Sequence, residues 1–359
     1  MNKLLLSTGQ RICAALVVIS FTWLNAVAQP AATLSAALTP TVIVSGPAGS
    51  LQQVQYSTNL TDPNGWKILS HIRLAGGPKP FYDTTASGVQ RFYRTLTVGL
   101  ADTNLVWILP GTFLMGSPES EQGRLASEGP QTLVTLTDGF FMGQFEVRNL
   151  DWLAIMGSIP LASDATLTNY LQRPVRHIAW SQATNYCALR TAAEISVGKI
   201  PAGWTYRLPT EAQWEYAARA GSNGPFAFGN ELRSDAVRVD AVFNGDYPYP
   251  TNVIPVGPVY YANPQVVGSC APNGFGLYNV HGNVAEWCLD GNPGSSVPGY
   301  PGGSVTNPIS GSDGAYKFVR GGSYFDTAAA CRSAKRSLTL GLNTPDTTGL
   351  RVILVPANP

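Results

Sequence analysis

The chain has 359 residues, 44% of them hydrophobic and 13% charged, with 23 Lys and Arg against 22 Asp and Glu. That length and apolar content suit at least one large buried core and two or three domains, which excludes a disordered chain. The near-neutral charge balance implies no polyanion-binding surface, and the 37 Gly, 27 Pro, 8 Trp and 15 Tyr fit a loop-rich fold with aromatic packing better than a helical bundle.

Residues 1–28 carry Lys3 and Arg11 ahead of an apolar run from Ile12 to Leu24, then Ala26-Val27-Ala28 before Gln29. This is the layout of a cleavable secretory signal, too short to span a bilayer comfortably, so the mature chain is expected to start near Gln29, secreted or periplasmic and with no membrane anchor. Cleavage leaves 21 basic and 22 acidic residues, a net charge of −1. Four cysteines remain, Cys187, Cys270, Cys288 and Cys331. In an oxidising compartment an even number allows two disulfides, whose pairing sequence does not give.

Residues 29–99 hold short alternating runs such as Thr41-Val42-Ile43-Val44, Val54-Gln55-Tyr56-Ser57 and Phe92-Tyr93-Arg94-Thr95, separated by Gly, Pro and Asn-Asp clusters. They predict a small all-β, sandwich-like domain serving as a spacer or adhesion module. Residues 104–356 change to scattered aromatics and Gly-rich loops with three short helices. The first covers Leu150 to Met156 and ends at Gly157; the second begins at Ser181 and runs through Tyr186, Cys187 and Leu189. The third lies within Arg207 to Arg219, where Thr210 and Gln213 form a capping box, Glu211 and Arg219 suit the helix dipole, and Gly221 supplies the stop. Trp214, Ala217 and Ala218 share its buried face.

In the second segment, Pro110-Gly111-Thr112-Phe113-Leu114-Met115-Gly116-Ser117 is followed by Phe140-Phe141-Met142-Gly143-Gln144-Phe145-Glu146-Val147 and Arg173-Pro174-Val175. Then come Arg207-Leu208-Pro209-Thr210-Glu211, Asn273-Gly274-Phe275-Gly276-Leu277-Tyr278-Asn279, Gly282-Asn283-Val284-Ala285-Glu286-Trp287, Arg320-Gly321-Gly322-Ser323-Tyr324 and Gly349-Leu350-Arg351-Val352. In this order the blocks resemble the sulfatase-modifying-factor family, the formylglycine-generating enzymes and their relatives. The resemblance implies a mixed α+β, C-type-lectin-like formylglycine-generating-enzyme fold of low regular structure, here preceded by the small all-β domain.

It also implies chemistry: oxidation of a sulfatase cysteine to formylglycine by oxygen and a copper(I) ion between two thiolates, the soft ligands that copper(I) prefers. Counted from Gly321-Gly322-Ser323-Tyr324, the first thiol falls at Asp326 and the second at Cys331; aligned on Arg332-Ser333-Ala334, Cys331 is not the second thiol either. Either way the pair is missing, and Cys331 reads as a disulfide or buried thiol, with a reactive thiol as the catalytic alternative. Cys288 is one partner for Cys331, and Cys270 with Cys187 is one arrangement of the rest. Ser323, with Gly321 and Gly322, falls where the family's substrate groove meets the active centre, and Trp287 is a second groove candidate.

The resemblance places one calcium at Asn279, Gly282, Val284 and Glu286, an oxygen-rich spacing suited to a hard cation; a capped turn is the plainer alternative. A second family calcium site is weakened because its Asn position reads Val242, although Asn244 and Asp246 stand nearby. His71, His177 and His281 share no ligand spacing, and neither a Ser-His-Asp arrangement nor a nucleic-acid patch is legible. Two functions follow: an oxidase of the formylglycine-generating type acting on a sulfatase peptide, or a non-catalytic module presenting residues Tyr324 to Asn343 to a protein or glycan.

Overall fold

The computed structural model describes residues 40–356 apart from 47–49, 63–64, 75–76, 84–85, 87–89, 99–103 and 237–238; the expected signal and its cleavage point lie outside these. The chain divides into two units, residues 1–100 with 359, and residues 101–358.

In the first unit the alternating runs form strands. β1 (Thr41–Val44) pairs antiparallel with β4 (Lys79–Tyr82), while β2 (Leu51–Ser57) lies between β3 (Lys67–Arg73) and β5 (Phe92–Val98). Val44, Val54, Leu69 and Leu74 are buried, with Phe81 and Tyr93 against them, so residues of both sheets share one apolar layer, the arrangement of a small sandwich.

The second unit begins with β6 (Leu105–Ile108), β7 (Gly111–Met115), β8 (Thr132–Leu136) and β9 (Phe140–Gly143). Three helices follow, interrupted by β10 (Thr205–Arg207): α1 (Asn149–Met156), α2 (Trp180–Ser196) and α3 (Glu211–Arg219). The remaining strands are β11 (Ala285–Asn292), β12 (Ser304–Thr306), β13 (Tyr316–Arg320), β14 (Ser337–Leu340), β15 (Thr348–Gly349) and β16 (Ile353–Val355). They make three small sheets, ordered β10-β16-β9-β6, β14-β13-β11-β15 and β12-β8-β7. Ile108, Phe140, Trp214, Leu277, Phe318 and Ile353, drawn from all along this unit, meet in its main core.

Helix α3 shows how local signals and tertiary demands combine. Thr210 Oγ1 accepts from the Gln213 amide and Gln213 Oε1 from the Thr210 amide, as the capping box predicts. The chain leaves the helix through Ala220 (φ 46°) and Gly221 (φ 89°), both left-handed. Trp214, Ala217 and Ala218 are buried as expected, but so are Glu211, Glu215 and Arg219. The charged face is therefore not solvated. Arg320, at the end of β13, is ion-paired to Glu215, Arg219 bonds Glu215 at 2.9 Å, and Arg336 clasps Glu211 with bonds of 2.9 and 2.6 Å. Burial alone would raise the Glu215 carboxyl, yet Arg219 and Arg320 bring it below its ordinary value.

Cutting one member out of this network strands a buried charge. Arg320→Met is expected to lower stability by about 3 kcal/mol in urea melts, with Arg320→Met/Glu215→Gln recovering part of the loss. Equal stability of wild type and Arg320→Met would show that the pair contributes nothing.

Candidate functional site

The segment after β13 is bent by Gly321 (φ 92°) and Gly322 (φ 66°). A side chain at Gly322 would put Cβ 2.7 Å from Cys331 Sγ, and one at Gly321 would come 3.1 Å from the Trp214 ring, so both positive φ and close approach require glycine. The turn carries Ser323 inward: its hydroxyl donates to Asp326 Oδ2 at 2.6 Å and accepts from the Phe325 amide. Ser323 is fully buried, whereas Phe325 beside it is exposed.

Cys331 ends a short 3-10 turn (Ala328–Cys331) and is fully buried among Phe226, Leu232, Phe243, Tyr249 and Ala328. Burial in this apolar cluster pushes its thiol well above the ordinary value, and the nearby Asp326 carboxylate adds to the shift. A neutral thiol beside an aspartate is not a soft two-sulfur site. The residues at these positions do not fit copper(I).

His281 is hydrogen-bonded to the backbone of Cys331. Its Nδ1 lies 2.8 Å from the Cys331 carbonyl, and its Nε2 accepts from the Ala227 amide at 3.0 Å. The accepting Nε2 assigns the proton to Nδ1, which donates to the carbonyl, and the ring is neutral. Burial lowers its pKa to about 4, outweighing the carbonyl bond.

Among the described residues no disulfide is present, which corrects the expected cross-links: Cys187, Cys270, Cys288 and Cys331 are all free thiols. Cys288 belongs to the main core and Cys331 to the cluster around Phe226, so each is packed as a small apolar side chain. Trp287 does not line a groove either; it has no exposed surface and donates from Nε1 to the Ile178 carbonyl at 3.0 Å.

The expected calcium loop is a tightly built turn. Asn279 (φ 56°), Gly282 (φ 98°) and Asn283 (φ 65°) are left-handed, and a Cβ on Gly282 would strike the Val242 carbonyl. Asn279 Oδ1 accepts from the Gly268 amide at 2.8 Å, while its buried Nδ2 makes no hydrogen bond. Val284 is buried, and Glu286 on β11 accepts from Arg351 and, at 2.7 Å, from Trp214 Nε1. A second buried carboxylate stands close by: Glu146 Oε1 accepts from Asn283 Nδ2 at 2.9 Å, but Oε2 makes no hydrogen bond and lies 3.9 Å from Arg351 Nη2. Burial, reinforced by Glu286 and opposed by Arg351, raises Glu146 to about 8. Two buried carboxyl groups thus share one guanidinium, so Glu146 holds either a proton or, when that is lost, one further positive charge. Among the described residues no group of three or more His, Cys, Asp or Glu gathers around a metal position. At the second expected site, Asp246 takes the Tyr260 hydroxyl and Asn244 Oδ1 accepts from the Asp246 amide at 3.3 Å. Glu146 and Arg351 lay in the quoted sequence blocks, but nothing in their local pattern marked them as neighbours of Glu286.

Compared with known families, residues 97–355 match the sulfatase-modifying factor enzyme 1-like domain. The chain belongs to this family. A formylglycine-generating enzyme of Mus musculus is 30% identical over 322 residues, covering 73% of this chain and 79% of that protein. The inactive C-alpha-formylglycine-generating enzyme 2 of Bos taurus is 28% identical over 193 residues, 52% of this chain and 50% of that one. Among solved structures, PvdO from Pseudomonas aeruginosa superposes with a TM-score of 0.52 at 25% identity, covering 70% of this chain and 93% of that one. The mixed α+β fold with few helices and many short strands is accordingly the C-type-lectin-like fold of the formylglycine-generating enzymes.

The neutral, sandwiched His281 is expected to make this family member acid-sensitive. Its folded pKa lies below the unfolded value of about 6.5, so its stabilisation is present above that pH and is lost as pH falls toward 4, at up to about 1.4 kcal/mol per pH unit. Followed by NMR, the His281 ring should keep neutral shifts down to about pH 4. A midpoint near 6.5 would contradict the two hydrogen bonds assigned to it.

Proposed function

We propose that this chain is a secreted or periplasmic family member that has given up copper-dependent cysteine oxidation and works as a binding module. The carrying observation is the Ser323–Asp326 hydrogen bond at the position of the first thiol, with the remaining thiol of Cys331 buried and held protonated. Ser323 and Cys331 are then structural, supporting a surface segment rather than touching a reacting atom. That segment, Tyr324 to Asn343, carries Phe325 at 71% and Leu342 at 86% exposure, which suits recognition of a protein or glycan ligand. A sulfatase peptide is the competing ligand, taken from the name of the family. Membership alone does not choose between the two, because relatives include one named as inactive.

Purified protein incubated with copper(I), oxygen and a cysteine-containing sulfatase peptide is expected to yield no formylglycine by mass spectrometry. Conversion at a rate comparable to that of an active relative would overturn the binding reading.

We also propose that one calcium ion is held at Asn279, Gly282, Val284 and Glu286, with Glu146 supplying the charge it balances. The unbonded Glu146 Oε2 and the single guanidinium between two buried carboxylates support this. Bound calcium would brace the loop between residue 279 and β11. Calcium at a hundredfold excess over its Kd should stabilise the protein by about 2.7 kcal/mol relative to chelator. In Glu146→Gln that difference should vanish without loss of stability in chelator; a wild-type melting temperature indifferent to calcium would rule the site out.

A further inference from the structure

The structure assembles a hydroxyl, an imidazole and a carboxylate that the chain separates by 167 and 169 positions. His177 Nδ1 lies 2.6 Å from Asp346 Oδ1, and His177 Nε2 lies 3.3 Å from Thr344 Oγ1. In the tautomer that carries the ring proton on Nδ1, that proton points to Asp346 and the Nε2 lone pair faces the threonine hydroxyl. This is the order of contacts by which a carboxylate orients a base and the base activates a hydroxyl.

Two further observations distinguish the group from a chance surface pair. His177 adopts φ 59°, a left-handed conformation that costs a non-glycine residue about 1–2 kcal/mol and persists only where the surroundings impose it. The surroundings do impose it. Ile178 on one side is fully buried, and Arg176 on the other is 6% exposed and fixed by Asp164 at 2.7 and 3.0 Å. Arg176 also donates to the Asp346 carbonyl at 3.1 Å and to the Tyr324 hydroxyl at 2.9 Å. The backbone under Asp346 is thereby tied to the backbone under His177, and both to the segment carrying exposed Phe325. The imidazole itself keeps 35% of its surface and Asp346 68%, so a substrate can reach them.

We propose that Thr344, His177 and Asp346 form a nucleophilic relay that makes the Thr344 hydroxyl reactive toward activated acyl groups, with esters as the substrate class. In the step envisaged, Thr344 Oγ bonds to the ester carbonyl carbon while its proton passes to His177 Nε2. The bond from that carbon to the alcohol oxygen breaks, and the alcohol leaves with the proton from Nε2. Water then attacks the threonine ester with His177 again taking and returning the proton, which frees the acid and restores Thr344. The net reaction is ester plus water to acid plus alcohol, and no oxidant or metal enters. Asp346 is a positioning residue, acting through His177. The site uses neither Cys331 nor Asp326, so it stands whether or not the copper chemistry does.

The test is covalent labelling of the full chain by an alkyl fluorophosphonate, located by peptide mass spectrometry, with hydrolysis of 4-nitrophenyl acetate followed in parallel. The expected result is an adduct on Thr344 that Thr344→Val abolishes and Thr344→Ser retains. His177→Asn, which tolerates the same left-handed backbone, should slow labelling about a hundredfold or more, with Asp346→Asn as a second variant should the first not fold. No adduct at Thr344 under conditions that fully label a serine hydrolase would overturn the proposal. So would equal labelling rates in wild type and folded His177→Asn or Asp346→Asn, which would mean that the three side chains only brace the loop.

Discussion

The second unit depends on arginines that have lost contact with solvent. Arg332 and Arg351 have no exposed surface, and every one of their donor groups is matched. Arg351 bonds both oxygens of Glu286 and the carbonyls of Gly143, Gln144 and Tyr278. Arg332 bonds Glu121 and Glu128 and the carbonyls of Gly123 and Ala329. A guanidinium buried without partners would be prohibitive, so five donors in a rigid fork dictate where five acceptors must lie. In a domain with short strands and few helices, these forks do what long hydrogen-bonded ladders do elsewhere: they fix loops distant in sequence relative to one another.

The sheet arrangement explains why the arginines sit where they do. On β11, Glu286 stands opposite Arg320 of β13 on one side and Gly349 of β15 on the other. The short parallel bridge to β15 brings Arg351 onto Glu286 two residues later, while the antiparallel pairing aims Arg320 at α3. A side chain at Gly349 would strike the Val175 carbonyl, so glycine there lets the segment just before His177 close over β15. One sheet thus positions the turn at 279–284, the Gly321-Gly322 bend and the Thr344–Asp346 loop together, with the buried pairs Arg320–Glu215 and Arg351–Glu286 at its centre.

The region around Cys331 shows how packing sets the chemistry open to a side chain. The bend at Gly322 leaves no room beside Cys331 Sγ, and the His281 ring, Phe226 and Tyr249 enclose the rest. Low polarity there holds the thiol protonated, and its neighbour in the turn is an aspartate already bonded to Ser323. A single buried thiol without a second soft ligand or a nearby cation has nothing beside it to stabilise a thiolate.

The sequence by itself determined the local elements and the family. The alternating runs became β1, β2 and β5; the Thr210–Gln213 box started α3; Gly157 ended α1; and the ordered blocks from Pro110 to Val352 matched one domain. These signals are legible because capping, turn conformation and strand alternation act within a few residues. That Asp326 stands where the family resemblance places the first thiol was also legible. Tertiary structure alone decided the rest: that Glu211, Glu215 and Arg219 face inward, that the four cysteines stay unpaired, that Glu146 joins Glu286 around Arg351, and that His177 meets Thr344 and Asp346. Most of these turn on contacts across tens to hundreds of residues, and a charged or polar side chain reads as solvated until the fold removes its water and leaves it only specific partners.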